Sequence, residues 1–206
     1  MKGKFAVFAV CALLSGSALG QSLVDGSAAA GKAKAITCGA CHGPDGNSVN
    51  PEWPTIAGQH PTYIVGELQT FRSGARTEPL MLGQAMMLGE QDMRDLAVYF
   101  SMQQTATKVI ADPATLDHGQ RLYRGGNREN LTPGCIACHG PNGRGNPAAS
   151  YPSLKGQYAA YIAKQLRSYA SGARRSDGPR RIMRDIAAKL SEEDIVAVSS
   201  YVQGLQ

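Results

Sequence analysis

Two short clusters of cysteine and histidine are the residues of this 206-residue chain with the most specific chemistry. They are Cys38, Cys41 and His42, and Cys135, Cys138 and His139. In each cluster two residues separate the cysteines and the histidine follows at once. This spacing can place two sulfurs along one edge of a porphyrin, as thioethers to its vinyl groups, while the histidine supplies an axial nitrogen to the iron. We therefore predict two covalently bound haem c groups.

Other sites built from cysteine fit the two clusters less well. A redox-active Cys-x-x-Cys disulfide does not require the adjacent histidine. A four-cysteine zinc site would require the two distant pairs to converge. Ordinary disulfides are common in exported proteins, but they do not explain two close pairs that are each followed by histidine.

An internal repeat extends well beyond the cysteine clusters. The second cluster follows the first by 97 residues, and further matches are spaced by 98 residues: Trp53-Pro54 with Tyr151-Pro152, Gly58-Gln59 with Gly156-Gln157, and Ser73-Gly74-Ala75-Arg76 with Ser171-Gly172-Ala173-Arg174. The spacing then rises to 102 residues, so the second copy carries four extra residues. The repeat indicates duplication of a whole domain.

One methionine of each copy is the candidate for the sixth iron ligand. Met81 aligns with Met183 at the spacing of 102 residues, just before the last predicted helix of each domain. A lone methionine usually fills a core, but the alignment favours a shared role. Together with His42 and His139, these methionines would leave neither iron open to oxygen, peroxide or nitrite, and thioether ligation raises the reduction potential. We therefore expect an electron carrier without a catalytic residue, not an enzyme.

Four further residues could compete for this position. Met86 and Met87 lie in the same segment as Met81 but have no methionine counterpart in the second copy. His60 and His118 could give two histidines on one iron, but neither aligns with a histidine. We interpret both as ordinary polar residues.

The chain is predicted to be all-α, with two tandem domains that each surround a covalently attached haem. Residues 1–20 combine a basic start, a short apolar run and small residues at the end, as in a cleavable signal peptide, and the run is too short to span a bilayer. Helices are expected at 61–71 and 158–169, and a capping box at Ser191 predicts the last helix. The predicted units are a signal peptide at 1–20, an N-terminal domain at 21–104, a linker at 105–113 and a C-terminal domain at 114–206.

Charge is distributed unevenly between the two halves. Residues 21–112 carry six basic and nine acidic side chains, whereas residues 113–206 carry thirteen basic and seven acidic ones. Five arginines surround the Met183 segment and are candidates for docking an acidic redox partner: Arg174, Arg175, Arg180, Arg181 and Arg184. A solvated surface without a partner is the alternative. Nucleic acid is not expected as a partner, because the export signal directs the chain away from it.

The mature chain resembles the diheme cytochrome c4 family, a tandem pair of class I cytochrome c domains. Residues 122–127, 183–191 and 201–205 carry the most characteristic stretches, in addition to the two cysteine clusters. The resemblance implies that Cys38, Cys41, His42 and Met81 serve one haem, and Cys135, Cys138, His139 and Met183 the other. It also implies two helical domains related by a pseudo-twofold axis, with haem propionates facing each other across the domain boundary.

These features predict a periplasmic one-electron carrier between a quinol-oxidising complex and a terminal oxidase or reductase. No small-molecule substrate is expected, and both a soluble and a peripherally membrane-associated form stay open. The alternative is the electron-accepting subunit of a flavin-containing dehydrogenase. A diheme peroxidase is a third hypothesis, but it needs one iron that lacks or loses its sixth ligand.

Overall fold

The computed structural model describes residues 23–205, so the predicted signal peptide lies outside the described residues. The helices are α1 (Ala28–Lys34), α2 (Ile36–His42), α3 (Pro61–Ser73), α4 (Pro79–Met86), α5 (Glu90–Ser101), α6 (Leu116–Gly125), α7 (Ile136–His139), α8 (Ala159–Ala170), α9 (Ile182–Ala187) and α10 (Glu192–Gln203), with a 3-10 turn at Pro113–Thr115 before α6. Residues 23–205 contain isolated β-bridges but no strand, and the all-α prediction is confirmed. Within the same residues, no helix combines the length and the apolar character that a bilayer crossing needs.

The two halves repeat one order of helices. In the first half α1 packs on α5 and α3 packs on both α4 and α5; in the second half α6 packs on α10 and α8 on both α9 and α10. The helices expected at 61–71 and 158–169 are present as α3 and α8. The structure therefore has the duplicated arrangement that the sequence repeat indicates.

A glycine permits close contact between the first and last helices of each half. A Cβ atom on Gly31 would lie 2.1 Å from the carbonyl oxygen of Asp95, and one on Gly119 would lie 2.2 Å from that of Ala197. Both distances are far shorter than a carbon–oxygen contact allows. Only glycine therefore lets α1 meet α5, and α6 meet α10, at this separation.

Each half has its own small core, to which one cysteine of its motif contributes. The first core consists of Ala35, Ile64, Leu96, Ala97 and Phe100, with Cys38 packed against it. The second consists of Leu122, Tyr123, Ile162, Val198, Tyr201, Val202 and Leu205, with Cys135 packed against it. Domains of this size bury a limited fraction of their surface, so a bound group that adds apolar area strengthens such a core.

The last helix begins at the predicted capping box. The Ser191 hydroxyl accepts a hydrogen bond from the Asp194 amide at 3.0 Å, and the Asp194 carboxylate accepts one from the Ser191 amide at 3.0 Å. Two amides that the helix leaves unpaired are thereby satisfied. This cap fixes the start of α10, directly after the segment that contains Met183.

Two glutamines hold the halves together in a reciprocal way. The side chain of Gln59 donates to the Ser153 carbonyl at 2.8 Å and accepts from the Ser153 amide at 2.9 Å. The side chain of Gln157 makes the same pair of bonds with Thr55, at 2.9 and 3.0 Å. Gln59 and Gln157 are counterparts in the repeat, as are Thr55 and Ser153. The two halves therefore meet across an approximate twofold axis.

The segment between the halves is also held in place. Asn47 donates to the Gln104 carbonyl at 2.9 Å and accepts from the Ala106 amide at 2.8 Å. The Lys108 ammonium donates to the Gly156 carbonyl in the second half at 2.8 Å. The connection is thus bonded to both halves, which fixes the position of the two motifs relative to each other.

Candidate haem sites

Each cysteine cluster lies on a short helix, so that its side chains project from adjacent turns. Cys38, Cys41 and His42 belong to α2, and Cys138 and His139 belong to α7, for which Cys135 is the N-cap. The four cysteines of the two clusters are half-buried. Residues three apart in a helix lie on one face, so both sulfurs of a pair can reach the same edge of a bound group.

The two histidines are buried and held by backbone carbonyls. Nδ1 of His42 lies 2.8 Å from the Pro54 carbonyl oxygen, and Nδ1 of His139 lies 3.0 Å from that of Pro152. A carbonyl only accepts, so Nδ1 carries the proton and Nε2 keeps its lone pair. Burial lowers the pKa of both imidazoles, against the opposing effect of these hydrogen bonds. Both rings are therefore neutral near pH 7, which is the form that binds iron.

A continuous cavity of about 1430 Å³ joins the two motifs. Its lining includes Cys38, Cys41, His42, Met81, Cys135, Cys138, His139 and Met183, together with apolar side chains of both cores. A pocket for one small molecule typically spans about 300–1,000 Å³. The cavity and its sulfur and imidazole donors therefore fit two large flat groups with an iron at the centre of each.

The candidate sulfur ligands differ in their position. Met81 on α4 and Met183 on α9 are half-buried and line the cavity. Met86 is 63% exposed and does not line it, whereas Met87 borders the cavity but is 71% exposed. Burial therefore favours Met81 over its two neighbours.

The other two histidines have different partners. Nε2 of His60 lies 2.7 Å from the Arg144 carbonyl oxygen, and Nε2 of His118 lies 2.8 Å from the Asp194 carboxylate. Neither histidine lines the cavity. The four cysteines also do not converge: among the described residues, no group of three or more His, Cys, Asp or Glu side chains could hold a metal ion.

Comparison with known proteins assigns the chain to a family. The family model described as Cytochrome c matches residues 25–103 and 116–206. The cytochrome c4 of Azotobacter vinelandii is 46% identical over 205 residues, covering 95% of this chain and 97% of that protein. The chain belongs to the cytochrome c4 family. The crystal structure of reduced recombinant cytochrome c4 from Pseudomonas stutzeri is 46% identical, with a TM-score of 0.86 over 88% of this chain and 100% of that one.

A more distant relative has a different description. The thiosulfate dehydrogenase electron acceptor of Thiomonas intermedia is 34% identical over 178 residues, covering 84% of this chain and 81% of that protein. Membership of the cytochrome c4 family makes this chain a diheme electron-transfer cytochrome with two covalently bound haem c groups. The resemblance inferred from the sequence and the two predicted haems are thus confirmed.

The structure corrects one part of the predicted arginine surface. Arg174 is only 4% exposed, and its guanidinium is 2.9 Å from the Glu67 carboxylate of the other half. It is a buried contact between the domains and has no surface to offer a partner. The Arg184 side chain is 12% exposed and paired with Asp177 at 2.7 Å. The exposed members of the predicted set are Arg175, Arg180 and Arg181.

The polar contacts between the domains were missed at the sequence level. The repeat aligns Gln59 with Gln157 and Arg76 with Arg174, but matched residues in two copies indicate only a shared role within each copy. Burial of an arginine is uncommon without a partner. The alignment of Arg76 with Arg174 was the signal that could have indicated a buried polar contact here.

Proposed function

We propose that this cytochrome carries single electrons in the periplasm, from a quinol-oxidising complex to a terminal oxidase or reductase. Cys38, Cys41, His42 and Met81 would serve the first haem, and Cys135, Cys138, His139 and Met183 the second. The domain limits are proposed at 21–104 and 114–206, with a linker at 105–113 and a cleaved signal peptide at 1–20.

The observation that supports this function best is the convergence of both ligand sets on one cavity. His42 and His139 present a neutral Nε2 there, and Met81 and Met183 line the same space. When bound, the haem iron supplies one-electron oxidation and reduction. The imidazole and thioether side chains of each set would hold the iron and leave no position open to small oxidants, which suits transfer of electrons without substrate chemistry.

The first test is reconstitution of electron transfer with the proposed redox partners. The purified holoprotein, reduced chemically, is mixed with membranes that contain a terminal oxidase, and haem oxidation is followed optically. Rapid oxidation that needs oxygen and is abolished by an oxidase inhibitor supports the proposal. Failure to exchange electrons with either a quinol-oxidising complex or an oxidase would contradict it.

A second candidate is a dedicated electron acceptor of a dehydrogenase. It is favoured by the relative described as a thiosulfate dehydrogenase electron acceptor. The sequence also left open a flavin-containing dehydrogenase as the partner. Native purification separates these functions, because a dedicated acceptor copurifies with its dehydrogenase in fixed stoichiometry, whereas a shuttle is recovered alone.

A peroxidase would need an iron with an open or labile position. The half-buried Met81 and Met183 argue against such a site. A high-spin absorption signal in the reduced protein, together with peroxide turnover, would favour the peroxidase. Fractionation of cells into periplasm and washed membranes locates the protein and distinguishes a soluble form from a peripheral one.

A further inference from the structure

Two buried arginines form the centre of a polar cluster at the domain boundary. Arg76 is 8% exposed and Arg174 is 4% exposed, and the two are counterparts in the repeat. Each guanidinium carbon lies 4.5 Å from the centre of an aromatic ring of its own domain, Phe71 and Tyr169 respectively. The cluster therefore has the same approximate twofold symmetry as the glutamine contacts.

Each arginine also crosses to a tyrosine of the other domain. Nη2 of Arg76 donates to the Tyr161 hydroxyl at 2.7 Å, and Nη2 of Arg174 donates to the Tyr63 hydroxyl at 2.7 Å. Tyr63 and Tyr161 are counterparts as well. Each of these arginine–tyrosine bonds therefore has an equivalent in the other domain.

Among the groups that bond the two arginines, the charge differs between the two sides at one position. Glu67 binds both arginines: one carboxylate oxygen is bonded to Arg76, and the other lies 2.9 Å from Nη2 of Arg174. Its counterpart is Gln165, whose carbonyl oxygen accepts from Arg76 and Arg174 at 2.9 Å each. A carboxylate and a carboxamide thus have the same two partners, and only the first carries charge.

Glu67 is ionised at neutral pH despite its burial. Burial raises the pKa of this carboxyl, but the nearby charges of Arg174 and Arg76 outweigh that effect, and the pKa is below the ordinary value of 4.5. The negative charge is therefore present at neutral pH on one side of the boundary.

Helix geometry places this charge on the side of the first haem site. Glu67 lies on α3 between Ile64 and Leu68: Ile64 belongs to the first core, and Leu68 packs against that core, as Cys38 does. Gln165 lies on α8 between Ile162 and Leu166: Ile162 belongs to the second core, and Leu166 packs against it, as Cys135 does. Glu67 and Gln165 both line the cavity. The Glu67 carboxylate therefore lies on the side of the first haem site, and the Gln165 carboxamide lies in the equivalent place beside the second.

We propose that Glu67 makes the two haem sites electrostatically unequal and lowers the reduction potential of the first haem relative to the second. A negative charge in a poorly solvated place stabilises the oxidised iron, which carries one more positive charge than the reduced iron. Arg76 with Arg174, and Tyr63 with Tyr161, form equivalent pairs, so their effects on the two potentials largely cancel in the difference. A single electron on the protein therefore favours the second haem, and its transfer between the irons consumes no proton or other reactant.

This inference rests on the proposed haem sites, so the test must distinguish failure of the inference from failure of the haem-site assignment. An exchange of the two side chains, Glu67→Gln with Gln165→Glu, moves the carboxylate to the other domain. It keeps one carboxylate side chain between the two arginines, whereas Glu67→Gln alone would leave both buried guanidiniums without a carboxylate side chain. Gln165→Glu alone is the second variant, since it puts a carboxylate on both sides.

The readout is the pair of midpoint potentials from an optical redox titration, assigned to each domain by the shifted haem methyl signals in proton NMR. The exchange should raise the first potential relative to the second. We expect the equilibrium constant for the electron between the haems to change on the order of tenfold, or about 59 mV for a one-electron couple. Gln165→Glu alone should lower the second potential relative to the first.

Equal shifts of both potentials, or no shift, would overturn the role of Glu67. Haem content and low-spin spectra of the unmodified protein are measured first. Fewer than two attached haems, or a high-spin iron, would contradict the proposed haem sites instead. If the exchanged variant does not fold, Gln165→Glu alone decides the question, because an unchanged difference in potential there contradicts the proposal equally.

Discussion

The proline carbonyls that hold His42 and His139 determine how each ring can act. A carbonyl accepts a hydrogen bond from Nδ1 of each histidine, so the ring is fixed with Nε2 free. The histidines could be predicted from their place after the cysteines. Their partners, Pro54 and Pro152, lie 12 and 13 residues further along the chain, and only the fold brings them back to the ring.

Replacement of the proposed sulfur ligand should change one iron and leave the other intact. In Met183→Ala the proposed thioether bonds to Cys135 and Cys138 and the proposed axial bond to His139 would persist, so haem would stay attached while the sixth position opens. Optical and EPR spectra should then show one low-spin haem and one altered haem. Met81→Ala should produce the same result in the first domain.

Met86→Ala provides the matched control, because it removes the same side chain from an exposed position outside the cavity. Its spectra should match those of the unmodified protein. Two intact His/Met irons in Met183→Ala, or a lost ligand in Met86→Ala or Met87→Ala, would show that the ligand assignment is wrong.

At the scale of elements, α4 and α9 occupy equivalent places in the two copies but differ in their exposed side chains and in the residues that precede them. Both contain the candidate methionine, but α4 exposes apolar side chains such as Leu80 and Met86, whereas α9 is flanked by Arg180 and Arg181. The four extra residues of the second copy lie just before α9. The duplicated scaffold is therefore kept while its two Met-bearing segments diverge.

The contact between α6 and α10 depends on the absence of a side chain at Gly119. In Gly119→Ala the new methyl group would lie 2.2 Å from the Ala197 carbonyl oxygen and 2.8 Å from Cβ of Tyr201, which forces the helices apart. Overpacking of this kind costs about 1–3 kcal/mol or more of the free energy of unfolding. Guanidinium denaturation followed by circular dichroism measures the loss.

Gly125→Ala is the control on the same helix. A Cβ atom there has no neighbour within 4 Å, and alanine has the higher helix propensity. We expect unchanged or slightly greater stability. Equal destabilisation by both substitutions would mean that the close helix contact is not the cause.

The helices α3, α5, α8 and α10 and both cysteine motifs could be predicted from the sequence because they depend on local patterns. The capping box at Ser191 and the periodicity of α10 are examples. The burial of Arg174 could not, since its Glu67 and Tyr63 partners are more than 100 residues away in the chain. Its place beside other arginines instead suggested an exposed patch. Contacts between domains depend on docking geometry, which a repeat does not specify.

The whole molecule has an acidic first half and a basic second half. The exposed arginines of the Met183 segment belong to the basic half. Arg180 borders the cavity beside Met183, and Arg181 is exposed next to it. Arg181 is paired with Asp185, which is comparably exposed, at 3.1 Å. Such exposed pairs contribute little stability, so these arginines can exchange partners at small cost.

Removal of Arg180 and Arg181 should slow association with an acidic redox partner. Complementary charge mainly accelerates encounter, and screening beyond a Debye length of about 8 Å at physiological ionic strength should reduce the difference. Stopped-flow electron transfer at several salt concentrations tests the double alanine variant. Both haem potentials should stay nearly unchanged.

The matched control is Arg121→Ala with Arg128→Ala, which removes the same charge from exposed positions that do not border the cavity. It should retain most of the association rate. Equal rates for both double variants at low salt would leave Arg180 and Arg181 without a docking role.

The boundary cluster should make stability depend on acid pH. The pKa of Glu67 is lower in the folded protein than its ordinary value of 4.5, so its contribution is present above that value and is lost as the pH falls through the folded pKa. At pH 7, Glu67→Gln should cost about 3–5 kcal/mol of unfolding free energy, as for other broken buried ion pairs. Denaturation at pH 7, 5, 4 and 3 should show that this difference shrinks below pH 4.5. A difference independent of pH would contradict the ionised carboxylate.

The reciprocal contacts of Gln59 and Gln157 have the form of an interface between two identical subunits. In a symmetric dimer every interface substitution occurs twice, so both sides change together and the electron favours neither of them. A fused chain encodes the two sides separately: position 67 holds a carboxylate while position 165 holds an amide. Duplication within one gene therefore gives each electron a preferred end of the molecule, a polarity that two identical subunits related by symmetry do not have.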